Sequence, residues 1–285
     1  MGLVARLLLR SVRKSLPQTL GCMVGAALLA VAASLAFASA LRGSGILLAD
    51  ASFADYLANL TAGLRNLDVD PMSVSIDRAV SAPAAWMLLV SLMAFSTIRF
   101  PFEDLRGEGG LVLVLSGSRV AWWVATCVWI ILVVLAMWGS CLLSLLAWVL
   151  STSGRLSWEV SSFTPFLLQF DVGSLCPTPW PMAAFLGSAI LVSCAVCLVQ
   201  LLLATLLHPL VAYGLTLGYL FLSIFLQRSW LLGNYLMAAR SGQFLEGGVS
   251  AGTGALFALS LCLVSIVGGG LVFRHLDVLG RRLSQ

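Results

Sequence analysis

Six long stretches of this chain contain no charged side chain, and this feature constrains the fold more than any other. They cover residues 20–41, 80–98, 120–150, 182–207, 209–226 and 251–273. A helix of about 20 apolar residues is long enough to cross a hydrocarbon core of about 30 Å. The sequence therefore predicts an all-α, polytopic membrane protein with six transmembrane helices in a single transmembrane domain, residues 1–285.

The composition agrees with this prediction and excludes an ordinary soluble domain. Hydrophobic residues make up 60% of the chain and charged residues 10%, with a mean hydropathy of +1.02. Soluble domains carry about 25% charged residues. The net charge of +4 is too small and too scattered for a nucleic-acid-binding surface. We therefore expect membrane lipid around the chain and no nucleic-acid partner.

The seven cysteines indicate packing rather than chemistry, because six of them lie inside the apolar stretches. Cys176 alone lies in a polar loop, where it has no second loop cysteine to pair with. Cys194 and Cys197 form a C-x-x-C pattern with no histidine or acid nearby. A redox or metal-binding role for this pair is the less favoured alternative to packing.

The basic residues predict the orientation of the chain. With the N-terminus inside, the cytoplasmic segments carry ten of the 16 basic residues, many of them next to the ends of spans. Cytoplasmic loops of membrane proteins are enriched in lysine and arginine. We therefore expect both termini to lie in the cytoplasm.

Residues 1–16 predict an amphipathic helix that lies on the cytoplasmic surface of the membrane. At 100° per residue, one face of this helix carries Arg6, Arg10, Arg13 and Lys14, and the other face is apolar. The alternative is a signal peptide, but the apolar stretch that follows is longer than the 7 to 15 residues of a typical signal core. We favour an uncleaved first span.

Two further segments carry structural predictions for the outer side. The three- and four-residue spacing of apolar side chains over residues 50–65 predicts a helix on the outer surface. Residues 230–239 are too few to span the membrane, and they predict either a surface helix or a re-entrant segment.

The chain lacks the residues that an enzyme or a self-powered transporter needs. His208 and His275 are its only histidines, and neither has a partner at a catalytic or metal-ligand spacing. The sequence contains no phosphate-binding loop. Charge-free spans also argue against ion coupling, which usually places ionisable residues within the bilayer. We therefore expect no catalytic, cofactor-binding or metal-binding residue.

A few mildly polar residues lie inside the fourth and fifth spans: Gln200, Tyr213, Thr216, Tyr219 and Ser223. They are candidates to line a pathway for an amphiphilic substrate. The alternative is that they bridge helices through hydrogen bonds.

Three G-x-x-x-G pairs, residues 21 and 25, 214 and 218, and 248 and 252, allow helices to approach closely. We favour packing within the chain over a subunit interface for these pairs.

Residues 99–119, between the second and third predicted spans, form the most informative loop. Glu103, Asp104, Arg106 and Glu108 are too polar for lipid, and the apolar run over residues 111–115 is too short to cross it. We expect a compact helical elbow at the cytoplasmic surface that docks on a soluble partner. An ordinary solvated loop is the alternative.

The amphipathic N-terminal helix, the six spans and the elbow together resemble the permease subunit of a type-2 ABC transporter. Within the elbow, Glu108-Gly109 matches the acidic-glycine step of that family, and residues 116–119 occupy the place of its turn into the third span. Gly110 stands where the family commonly has threonine, and the turn lacks the usual proline.

This resemblance implies that the elbow is a coupling helix, which binds a groove of a separate ATP-binding-cassette subunit through Glu103, Asp104, Arg106, Glu108 and Gly109. The first helix then lies beside the elbow, while span five and residues 230–239 flank the translocation path. ATP and magnesium bind to the partner subunit, and a second permease, identical or related, completes the complex. The location implied is a cell membrane of a bacterium.

From these features we expect an exporter of a hydrophobic, lipid-like, peptide or drug-like substrate. The alternative function is a non-transporting membrane scaffold or assembly factor that recruits a cytoplasmic partner through the elbow. A membrane-embedded enzyme acting on lipid is a weaker third reading, because histidines and paired acids are scarce.

Overall fold

The computed structural model describes residues 2–63, 83–106, 118–168 and 175–275, and most of these residues are helical. The helices are α1 (Leu3–Gly43), α2 (Phe53–Leu60), α3 (Ala84–Arg106), α4 (Arg119–Ser151), α5 (Thr164–Leu167), α6 (Met182–Leu206), α7 (Pro209–Phe225) and α8 (Ala251–His275). Short 3₁₀ turns cover Leu48–Asp50, Leu232–Leu236 and Ala238–Arg240. In the described ranges, β pairing is limited to isolated bridges. The predicted all-helical class is confirmed for this part of the chain.

Four helices, α1, α4, α6 and α8, are long and apolar enough to cross a membrane. The predicted spans over residues 80–98 and 209–226 correspond to shorter apolar helices, Ala84–Ile98 within α3 and α7. The structure therefore gives the fold of a multi-helix membrane protein with four helices of spanning length.

Helix α1 joins two segments that the sequence predicts separately, the surface helix over residues 1–16 and the first span. It runs without interruption for 41 residues and includes Pro17, which removes one backbone donor. Packing on α4 holds both parts in line. The indole of Trp129 donates to Ser15 Oγ at 2.8 Å, and the Cys141 thiol approaches the Ala26 carbonyl oxygen at 3.6 Å.

The tryptophans of α4 organise the interior of the bundle. Trp123, Trp129 and Trp138 are buried, and each indole N–H donates to a different helix. Trp123 Nε1 donates to the Ile266 carbonyl of α8 at 3.0 Å, and Trp138 Nε1 donates to Ser193 Oγ of α6 at 3.2 Å. Buried tryptophan gains from such a partner. Helix α4 is therefore connected to α1, α6 and α8 by specific contacts as well as by apolar packing.

The segments 44–63, 152–168, 175–181 and 226–250 pack together at one end of the bundle, and we call them the loop layer. Backbone hydrogen bonds join them: Phe53 N donates to Arg155 O at 2.9 Å, Ala238 N to Thr61 O at 2.8 Å, and Cys176 N to Phe244 O at 2.8 Å. The opposite end, where α1 begins, is called the N-terminal end.

Two sequence predictions change within the loop layer. The helix expected over residues 50–65 is shorter, Phe53–Leu60, and nearly all of it is buried under the other loop segments rather than lying on the surface. Residues 230–239 do not form a surface helix, because they contain two 3₁₀ turns and residues 231–241 are all buried. Irregular backbone of this kind needs surrounding protein to satisfy its polar groups, and the loop layer provides it.

Candidate functional site

Asp104, in the last turn of α3, forms an ion cluster with the charged face of α1 at the N-terminal end. Its carboxylate accepts hydrogen bonds from both Nη atoms of Arg10 at 3.1 Å and from Lys14 Nζ at 2.9 Å. Arg10 and Lys14 are four residues apart, so they lie on the same face of the helix and reach one carboxylate. The start of the predicted elbow is thus attached to α1.

Burial differs within this Asp104 cluster. The Asp104 side chain is only 2% exposed, whereas Arg10 is 25% and Lys14 39% exposed. A carboxylate removed from water needs charged or hydrogen-bonding partners, and the two-pronged arginine contact is a strong form of such pairing.

The other predicted coupling residues are placed differently. Glu103, next to Asp104, is exposed. Arg106 is the last residue of α3. Glu108 and Gly109 lie outside the described residues, so their predicted role in coupling stays a prediction. Asp104 forms its ion pairs within the chain.

The turn into α4 lies at the same end of the bundle as the Asp104 cluster. Ser118 caps α4, because its hydroxyl accepts a hydrogen bond from Ala121 N at 3.2 Å. Arg119 Nη1 donates to the Arg274 carbonyl near the end of α8 at 3.3 Å. The two ends of the predicted elbow, residues 99–119, are therefore attached to α1 and α8 respectively.

Three of the predicted pathway residues join separate parts of the chain. Gln200 is 1% exposed and donates through Nε2 to the Ala94 carbonyl of α3 at 2.9 Å. Tyr213 donates its hydroxyl to the Ser91 carbonyl, also in α3, at 3.4 Å. Tyr219 accepts from Leu232 N at 3.0 Å in the loop layer. These contacts fit the helix-bridging alternative.

Thr216 and Ser223, the other two predicted pathway residues, bond within their own helix. The Thr216 hydroxyl donates to the Ala212 carbonyl at 2.9 Å, and the Ser223 hydroxyl donates to the Leu220 carbonyl at 2.5 Å. Such bonds satisfy a polar group in an apolar setting without a partner helix. A role in lining a pathway stays a prediction for all five residues.

The G-x-x-x-G glycines also divide into two groups. A Cβ added at Gly25 would contact Leu92 at 3.2 Å, so this glycine packs within the chain. A Cβ added at Gly214 or Gly218 would have no atom of the described residues within 4 Å. The sequence analysis favours packing within the chain for these pairs. The face of α7 that carries Gly214 and Gly218 is instead open in the described residues.

Asp55, a residue that the sequence analysis did not single out, is a second buried acid. It lies in α2, is fully buried, and accepts from Ser52 N, Ser161 N and Ser161 Oγ at 2.7 Å each and from Thr164 Oγ1 at 2.8 Å. The Ser52 hydroxyl in turn accepts from Asp55 N, which completes a capping box. The spacing Ser-x-x-Asp before an apolar run was the signal available in the sequence.

A cleft of about 460 Å³ opens in the loop layer beside Cys176, Gln243 and Glu246. None of the predicted coupling or pathway residues lines it. Its lining combines one thiol, one carboxylate and a glycine-rich turn, and it defines no recognisable chemistry.

No family model, curated protein or solved structure matches this chain. The contacts at the N-terminal end and in the spans are therefore the basis for a functional conclusion.

Proposed function

We propose that this chain is the permease subunit of an ABC transporter and crosses a bacterial cell membrane six times, with both termini in the cytoplasm. The observation that carries the proposal is the Asp104 cluster. It attaches the first residues of the elbow to the basic face of α1. The resemblance to type-2 ABC permeases implies this adjacency of first helix and elbow.

The six-span topology is supported by the two shorter helices. Helix α7 has 17 residues and follows α6 after only Leu207 and His208. A helix of that length rises about 26 Å, close to the thickness of a hydrocarbon core. Helix α3 continues for eight residues, about two turns, beyond its apolar part to Arg106, and this charged extension suits a helix that leaves the membrane at the elbow.

In the proposed mechanism, ATP and magnesium bind to the partner subunit and move the elbow. Because Asp104 connects the elbow to α1 and α3, the movement passes to both helices together. The apolar stretches contain no charged residue, which suits export of a hydrophobic, lipid-like, peptide or drug-like substrate. The open glycine face of α7 supports a second permease copy, because small residues permit close helix contact.

The test is to replace Glu103, Asp104 and Glu108 with alanine, singly and together, and to measure ATP hydrolysis by the co-purified ATP-binding subunit. Glu159→Ala is the matched control, because this exposed acid lies in the loop layer. We expect the triple variant to lose most of the stimulation that the permease gives, with normal expression. Unchanged stimulation in the triple variant would contradict the proposal.

A membrane scaffold is the second candidate function. The hydrogen bonds of Gln200 and Tyr213 to α3 favour it, because they use polar groups that a pathway would present to a substrate. A scaffold would co-purify with a cytoplasmic partner that binds no nucleotide. Co-purification of a nucleotide-hydrolysing subunit would reject it.

A further inference from the structure

Residues 231–241 of the loop layer, which we call the buried segment, are enclosed on several sides. Trp86 of α3 donates its indole N–H to the Leu236 carbonyl at 3.0 Å. A Cβ at Gly254 of α8 would overlap the ring of Tyr235, and a Cβ at Gly233 would overlap the Ser223 side chain of α7. The buried segment therefore packs closely against α3, α7 and α8.

Arg240, near the end of the buried segment, points its guanidinium group at the C-terminus of α7. Its Nη1 donates to the carbonyl oxygens of Ser223 and of Leu226, the latter at 3.4 Å, and its Nη2 donates to the Ile224 carbonyl at 2.5 Å. Arg240 is only 1% exposed. This arginine is thus a long-range C-terminal cap of α7, supplied by a different part of the chain.

The physical need for such a cap comes from the helix. The last carbonyl groups of an α-helix have no partner within it, and the helix dipole places partial negative charge there. A positively charged hydrogen-bond donor supplies the missing partner for these carbonyl groups and also balances the partial negative charge. A buried helix end without them would cost more than an exposed one, because no water replaces the missing partners.

Asn234 completes the contact between the buried segment and α7. Its Oδ1 accepts from Arg240 Nη1 at 2.5 Å, and its Nδ2 donates to the carbonyl oxygens of Leu226 at 3.1 Å and Arg228 at 2.8 Å. Tyr219 of α7 contributes a further bond, the one it accepts from Leu232 N. Three side chains therefore connect one helix end to one buried segment.

We infer that Arg240 fixes the C-terminal end of α7 to the buried segment, so that the two move as one body and the loop layer stays closed at this point. This role belongs to the chain itself and needs neither an ATP-binding partner nor a substrate, so it goes beyond the proposed function. Arginine suits the role because its two Nη atoms reach different carbonyl groups and its charge persists at all ordinary pH values.

The test is hydrogen exchange measured by mass spectrometry on the full-length protein in detergent, expressed as protection factors. We expect Arg240→Gln to lower protection of the buried segment and of the last turn of α7 by about tenfold or more, because charge-assisted bonds are lost. Protection in the middle of α4 should stay within about threefold of wild type. Arg228→Gln is the matched control, since Arg228 is exposed in the same loop, and it should change neither region.

Arg240→Lys, measured at two pH values, tests whether the contact depends on the positive charge at residue 240 or only on the bulk of its side chain. Burial lowers the pKa of Arg240 to about 10. A lysine starts from an ordinary pKa of about 10.4, and burial lowers the pKa of its ammonium group further. We therefore expect near wild-type protection at pH 7 and a loss of about tenfold at pH 9 as the ammonium deprotonates. Wild type, measured at the same two pH values, controls for every effect of pH that does not arise at residue 240.

Wild-type protection in Arg240→Gln would overturn the inference, as would an equal loss in Arg228→Gln. If Arg240→Gln loses protection throughout α4 because it does not fold, Arg240→Lys decides the matter alone. In that case a loss confined to the buried segment and the end of α7 at pH 9 supports the inference. Equal protection at pH 7 and pH 9 overturns it.

Discussion

The two ends of the bundle both bury charged groups, but they satisfy them in opposite ways. At the N-terminal end, Asp104 meets two cations, which keep 25% and 39% of their side-chain surface exposed. In the loop layer, Asp55 accepts its described bonds from backbone and hydroxyl groups, and Arg240 donates to carbonyl and amide oxygens. Asp55 and Arg240 are almost fully buried.

This difference predicts different physical behaviour at the two ends. Ion pairs with partly exposed cations, like those of Asp104, are screened by salt, and this screening limits their contribution to stability. A buried charge held by dipoles leaves several unsatisfied groups when it is removed, and its loss costs more. The stability of the N-terminal end should therefore depend on salt concentration, and that of the loop layer should not.

Asp55→Ala should give the largest effect among the variants that sharpen this comparison. It leaves the buried N–H groups of Ser52 and Ser161 without their acceptor, and it separates α2 from the segment that carries Thr164. We expect the free energy of unfolding to fall by about 3 kcal/mol. The measurement is SDS titration in mixed micelles, followed by intrinsic tryptophan fluorescence.

Asp50→Ala is the control for this change, because Asp50 is an exposed acid of the same loop. It should alter the unfolding free energy by less than about 0.5 kcal/mol. A similar small effect for Asp55→Ala would remove the distinction between the two ends of the bundle.

Gly254→Ala should have the next largest effect. The added methyl group would overlap the ring of Tyr235 in the buried segment, so the ring or α8 has to shift. Overpacking of this kind costs about 1–3 kcal/mol. Gly268→Ala is the matched control, since Gly268 lies in the same helix and a Cβ there would have no atom of the described residues within 4 Å, so the unfolding free energy should stay unchanged or rise slightly.

If Gly218→Ala, on the open face of α7, proves as harmful as Gly254→Ala in the unfolding titration, the α7 glycines pack against a second copy of the chain that is present in the sample. That result would argue for a second copy and against a simple lipid-facing surface. Separate titrations at low and high protein concentration distinguish the two cases, because only association depends on concentration.

The helical class and the positions of the helices were predictable from the sequence because they depend on local patterns. Charge-free stretches of about 20 residues allow little besides membrane helices. The sequence also identified Asp104 as too polar for lipid. Such a residue is expected near the end of a membrane helix, and Asp104 lies in the last turn of α3. Its partners were not identified, because pairing with Arg10 and Lys14 depends on where α1 and α3 meet.

The loop layer was the least predictable part, and the reason is physical. Asp55 accepts from Ser161 and Thr164, more than 100 residues away, and Arg240 donates to groups up to 17 residues away. Only the bond between Asp55 and Ser52 follows from a local pattern. Arg240 counted in the sequence analysis only as one of the outer basic residues. Its burial follows from the shape of the buried segment, which has no helical or strand periodicity.

Asp104→Ala should give the smallest effect on stability but the strongest dependence on salt. The free energy of unfolding is expected to fall by about 1 kcal/mol at 0.05 M sodium chloride, because Arg10 and Lys14 keep access to water and lose only part of their stabilisation. At 1 M salt the Debye length shrinks to about 3 Å, and the difference from wild type should become smaller. The same titration at both salt concentrations measures this.

Asp55→Ala, measured in parallel, should lose the same free energy at both salt concentrations, because its partners are neutral and shielded from solvent ions. A salt-independent loss in Asp104→Ala would show that the carboxylate acts as a buried hydrogen-bond acceptor like Asp55. The elbow would then be fixed to α1 as firmly as α2 is fixed in the loop layer. Motion of the elbow would in that case pass to α1 at any salt concentration, and through α1 to its contacts with α4 on both sides of Pro17.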